Sequence, residues 1–171
     1  GTGTSGFAPI AQGSQSFNVT GNVYRLASGS LSQTVLNMGT IRSIDSSTGG
    51  TLSSAFSGGT VSLTNDVSTD GFSDLLRASA SLTSGFIVQS GTGSLLLGAG
   101  SLGSFGIGYA SSGSNTSVGV NTGTLTLTLV SEGQVGTNLA PKSLAPQTVA
   151  LTATVYRSAV GQVLSNGTVY A

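Results

Sequence analysis

Three carboxylates crowd one short stretch of this 171-residue chain: Asp66, Asp70 and Asp74, in LTNDVSTDGFSD. Oxygen donors beside a glycine turn are the raw material of a calcium site. The spacing, however, departs from the D-x-D-x-D-G loop, and Arg77 follows Asp74 by three residues as an ion-pair partner, so the segment reads as a capped, salt-bridged turn. A second trio, Glu132, Asn138 and Lys142, has the residue types of a Lys–Asn isopeptide crosslink. In the Pro-bounded loop from Ala140 to Pro146, a solvated lysine is the plainer reading. Ser and Thr are abundant, but a nucleophile needs a base. The chain has no His and no Cys, and neither S-x-x-K nor G-x-S-x-G occurs. Five acidic residues in all offer no pair that can be placed across a cleft. The glycine-rich runs GTGSLLLGAG (91–100) and GSFGIG (103–108) lack the following helix and lysine of a phosphate loop, and read as tight turns and bulges. The expectation is a protein that is not an enzyme, with no catalytic residue, no metal site and no cofactor. Glycosylation sequons stand at Asn18, Asn115 and Asn166; Asn115, in the polar stretch ASSGSNTS, is the most accessible of them.

Composition narrows the partners. Charged residues are 6% of the chain, against about 25% in an ordinary soluble domain, and the net charge is zero. A free monomer with so few charges has little colloidal protection, so the surface suits an assembly or an extracellular layer. Five Lys and Arg residues scattered from Arg25 to Arg157 make no basic stripe, which argues against nucleic acid. The longest apolar runs, such as SLLLGAG at 94–100, are strand-sized, well short of the roughly 18 residues of a membrane span.

The elements that must position these residues are strands. Turn-bounded segments with period-2 alternation recur at 15–25, 33–42, 59–64, 84–90, 93–98, 102–109, 116–121, 123–131 and 147–157. In GTLTLTLVS, Leu125, Leu127 and Leu129 share one face and Thr124, Thr126 and Thr128 the other. One stretch, 70–81, has helical spacing: Phe72, Leu75 and Leu76 fall at i, i+3 and i+4, with Asp70 as N-cap. Asn166-Gly167 predicts a tight hairpin in the tail.

The two ends of the chain are versions of one segment. FAPIAQGSQSFNVTGNVYRLA (7–27) and LAPKSLAPQTVALTATVYRSA (139–159) superpose without a gap at an offset of 132. Pro9 falls on Pro141, Gln15 on Gln147, Val23 on Val155, Tyr24 on Tyr156 and Arg25 on Arg157; Phe17, Val19 and Gly21 fall on Val149, Leu151 and Ala153. One sandwich needs such a closing strand once. The second copy belongs to a neighbouring repeat or a neighbouring molecule, as in a chain built to join end to end.

VYRLASGSL (23–31), NMGTIRSI (37–44), LTNDVSTDGFSDLLRASAS (63–81), TGTLTLTLVSEG (122–133) and QTVALTATVYR (147–157) resemble one repeat of bacterial choice-of-anchor D surface proteins. The resemblance runs over about 15–160 and implies a Hydin-like, immunoglobulin-type sandwich in a large secreted protein, with a VYR strand closing one repeat and leading into the next. It brings no catalytic residues.

Together these readings predict an all-β, immunoglobulin-like β-sandwich with an extended terminal strand and one short helix. Residues 1–27 form an N-terminal extension and candidate donor strand, 28–160 the sandwich, and 161–171 a tail or hairpin. Val61, Leu63, Leu125, Leu127, Leu129, Val149, Leu151 and Val155 should be buried, with the three threonines outward. The expected function is a structural subunit of an extracellular bacterial filament, polymerising with identical subunits by β-strand donation through Phe17, Val19, Val23 and Tyr24. A repeat of a large cell-surface adhesin or surface-layer protein is the alternative.

Overall fold

The structure, a computed structural model, describes residues 6, 11–43, 58–83, 85–90, 93–109, 118–157 and 159. Alternation of apolar and small polar residues makes strands of more than half of the described residues. They are β1 (Gly29–Leu31), β2 (Val35–Ser43), β3 (Gly59–Asn65), β4 (Leu75–Leu82), β5 (Phe86–Ser90), β6 (Ser94–Leu97), β7 (Leu102–Tyr109), β8 (Gly119–Glu132), β9 (Lys142–Ser143) and β10 (Gln147–Arg157). Two sheets result, one ordered β1-β3-β7-β5 and the other β2-β10-β8-β4-β6, with β9 added on β8. This is the layered ABED-against-GFC order of an immunoglobulin-type sandwich. It departs in its additional strands: β2 adds parallel to β10, β9 adds to β8, and β6 pairs with β4 after the chain has visited the four-stranded sheet as β5.

The core lies between the inward faces of the sheets. Val61, Leu63, Leu76, Phe105, Ile107, Leu125, Leu127, Val149, Leu151 and Val155 are the largest apolar side chains sealed from solvent, with Leu129 beside them. All eight side chains expected to be inside are inside. Of the threonines opposite, Thr128 is exposed and Thr124 and Thr126 are half-exposed on the outer face, as the alternation requires.

Two expectations about elements are corrected. Residues 70–81 form no helix; from Leu75 the segment is β4, paired with β8 on one side and β6 on the other. Its controlling pattern is period two, Leu76 and Ala78 in, Arg77 and Ser79 out, and the backbone bonds to two neighbours outweigh a short helical spacing. Gly71, at φ 85°, breaks the chain just upstream in a conformation other residues rarely adopt. The strands expected at 116–121 and 123–131 are not separate: residues 119–121 and 123–131 belong to the single strand β8. Gly123 sits in mid-strand, where a side chain would run into the Phe86 ring and the Thr83 hydroxyl.

β10 occupies an interior position in its sheet. It pairs antiparallel with β8 from Gln147↔Leu127 to Val155↔Gly119, and parallel with the edge strand β2 from Ala150↔Val35 to Arg157↔Ser43. Its N-terminal end therefore lies at the pole of the sandwich that holds Asn65, Leu75 and Glu132. Its C-terminal end lies at the opposite pole, with Gly119 and Ser43.

Candidate functional site

The segment that copies β10 behaves unlike it. Residues 11–24 join no strand, and Phe17, Val19 and Val23 are 83%, 93% and 87% exposed. Their counterparts Val149, Leu151 and Val155 are sealed in the core. Asn18, with its sequon, is exposed on the same arm, whereas Asn115 and Asn166, the hairpin at 166–167 and the 161–171 tail lie outside the described residues.

The arm is free along its length but fixed at its root. Arg25 forms a parallel bridge with Ser73: its N–H donates to the Phe72 carbonyl at 2.9 Å, and its own carbonyl accepts the Asp74 N–H at 2.9 Å. The Tyr24 ring packs on Phe72 with centroids 5.7 Å apart. The Arg25 guanidinium reaches Asp70 Oδ2 at 2.5 Å, while Asp70 Oδ1 accepts the Phe72 N–H at 3.0 Å. That backbone N–H, with the Arg25 guanidinium second, holds the Asp70 carboxyl below its ordinary 3.8.

Two residues further on, the root enters the interior. The Ala27 N–H donates to Ser131 Oγ at 2.8 Å, and the Ser131 hydroxyl donates to the buried Asp74 Oδ2 at 2.7 Å. Asn65, also buried, accepts the Ser28 N–H and donates to the carbonyls of Asp74 and Leu97. Gln134 Nε2 donates to the Ser73 carbonyl at 2.7 Å. These side chains satisfy backbone groups that the incoming chain would otherwise bury unpaired. The exception is Asp74 Oδ1, buried with no hydrogen-bond partner.

The three aspartates thus take separate roles, and among the described residues no group of His, Cys, Asp and Glu could hold a metal ion. Asp70 clamps the arm, Asp74 faces inward, and Asp66 is exposed. The expected Asp74–Arg77 pair does not form. A strand places residues three apart on opposite faces, so Arg77 turns outward and meets Glu132 on β8 at 2.6 Å. Glu132 is thereby committed, and Lys142 and Asn138 stand exposed, so the isopeptide trio is not assembled. Sequence reasoning missed Asn65, Ser131 and Gln134, whose signal is weak: a polar residue at an inward position of a strand (Asn65, Ser131) or in a loop (Gln134).

No family model matches the chain, and no curated protein matches it. Among solved structures, the chain is similar to the YadV chaperone, with 13% identity over 74% of this chain and 51% of that one at a TM-score of 0.48. It is similar to the E. coli chaperone DraB, with 13% identity over 77% and 57% at 0.46. It is also similar to a chain of the Salmonella enterica SafA pilin–SafB chaperone complex, with 14% identity over 78% and 57% at 0.49. The chain spans little more than half the length of these structures. Likenesses this slight carry no argument, and none of the three is a choice-of-anchor D or Hydin-like repeat. The sandwich stands on its own strand order, and no helix among the described residues is long and apolar enough to cross a membrane.

Proposed function

We propose that this chain is a structural subunit of an extracellular filament, in which the N-terminal arm of one copy is donated as a β-strand to the next. The observation that carries this reading is the arm itself, a strand-patterned segment with three large apolar side chains in water and a firm root. Burying each of those side chains is worth about 1.5–3 kcal/mol, and a strand added to a sheet also satisfies its own N–H and C=O groups. Donor and acceptor are different surfaces, so the contact is heterologous and generates open chains. Phe17, Val19 and Val23 enter the acceptor, and Tyr24 marks the junction.

The duplicated ends also favour a second reading, one repeat of a longer cell-surface protein in which the arm is the closing strand of the preceding repeat. Negative-stain microscopy of the purified chain tests the first reading, with filaments expected. Removal of residues 1–24 should leave single folded particles. Single particles from the intact chain at all concentrations would favour the repeat.

A further inference from the structure

The arm duplicates one particular strand, and that strand's surroundings are known in detail. We infer that the acceptor for the arm is the β10 position of a second copy, between its β2 and β8, entered by displacing that copy's own β10. This rests on the strand-donation reading and specifies where the donated strand goes.

The inward residues of β10 are Val149, Leu151, Ala153 and Val155, all buried. The offset of 132 places Phe17, Val19, Gly21 and Val23 at those positions. The added bulk of Phe17 over Val149 is offset by Val19 for Leu151 and Gly21 for Ala153, so the set fills a space of similar volume. The outward residues Asn18, Thr20 and Asn22 replace Ala150, Thr152 and Thr154 without placing a charge in the sheet. Gln15 repeats Gln147, whose Nε2 donates to the Gly29 carbonyl at 2.6 Å. The open edges of the sheets offer no such match of register, volume and hydrogen bond.

Polarity agrees. β10 runs from the pole holding Glu132 to the pole holding Gly119. An arm in that register makes its last pair with β8 at Val23, opposite Gly119, and ends two residues later on β2. Those two residues, Tyr24 and Arg25, are the ones already held on Phe72, Ser73 and Asp70 of the donor's own sandwich. No linker separates the acceptor's last buried residue from the donor's first fixed one, so the two sandwiches meet pole to pole.

The chain contains no cysteine, which makes the test direct. Transferred from Ala150↔Thr124, the register sets Asn18 opposite Thr124. An affinity-tagged Asn18→Cys chain is mixed with a Thr124→Cys chain under assembling conditions and oxidised. A disulfide-linked heterodimer is expected, about tenfold above that formed with a Thr128→Cys chain, since docking concentrates the matched pair alone. Thr128 is more exposed on the same face but out of register. In parallel, a single chain carrying Ala150→Cys and Thr124→Cys locks β10 in its own slot; filament growth should stop on oxidation and return on reduction. Filaments that grow with β10 locked, or that crosslink Thr128→Cys as well as Thr124→Cys, overturn the inference while leaving strand donation standing. An intact chain that forms no filaments overturns both.

Discussion

The arm's root depends on a few polar atoms, and each makes a distinct prediction. Asp70 is held below its ordinary 3.8 by the Phe72 N–H and the Arg25 guanidinium. Its contribution to the root is therefore present at neutral pH and above 3.8, and is lost as pH falls through the lowered folded value. Protection of the Arg25 and Asp74 amides, relative to their intrinsic exchange rates, should fall only below pH 3.8, with the β8–β10 amides unaffected at that stage. Asp70→Asn should show the lowered protection already at neutral pH and abolish its acid dependence. At Asp74 the consequences lie inside the sandwich. Asp74→Ala strands the Ser131 hydroxyl that in turn holds the Ala27 N–H, and should cost about 1–3 kcal/mol in denaturant unfolding. Asp74→Asn retains an acceptor for Ser131 and should cost far less.

Among the elements, β8 and β10 form the central ladder, and the facing sheet supplies Phe105, whose truncation to Ala should cost about 3–5 kcal/mol. On the arm, Val19→Asp with Val23→Asp should leave that stability unchanged, because both side chains are in water, yet abolish filaments by carrying charge into an apolar slot. How far the sequence exposes these elements varies with how local their causes are. The bounds of β7 and β10 follow from the alternation within LGSFGIGY and QTVALTATVYR, where strict period two meets turn residues at both ends. The segment 70–81 does not yield to that reading, since its spacing at Phe72, Leu75 and Leu76 fits a helix. What decides it is pairing with β6 and β8, where the partners of Leu76 are Leu97 and Ser131, 21 and 55 residues away. The sequence divides β8 at Thr122, beside a glycine whose place in mid-strand is explained only once the Phe86 ring above it is known. The copy of β10 at 15–25 is visible in the sequence, but its exposure is not, because identical patterning serves a strand already paired and one awaiting a partner. The polar root is hidden for a similar reason: Asn65, Ser131 and Gln134 are common residues given meaning only by the chain that crosses them.

For the molecule as a whole, the absence of core residues among 11–26 implies that loss of the arm spares the fold. Deleting 1–24 should move the unfolding midpoint by less than about 4 °C while eliminating assembly. With only 6% charged residues, association has little ionic character, and filaments should persist in 1 M salt, where the Debye length is about 3 Å. The rise per subunit should approach the span of β10, whose 11 residues at about 3.3 Å each give roughly 36 Å. The parallel pairing of β2 with β10 bears on tension. In a filament joined in this way the strand beside β2 is the arm of the next copy in the β10 register, leaving at the opposite pole, so a pull along the axis draws β2 and that arm in opposite directions. Seven paired positions between them are then loaded in shear, all at once, and cannot peel apart one at a time. Such a link yields abruptly at high force, which suits a thread that must carry load through one sandwich after another; single-molecule stretching should register one sharp rupture per subunit.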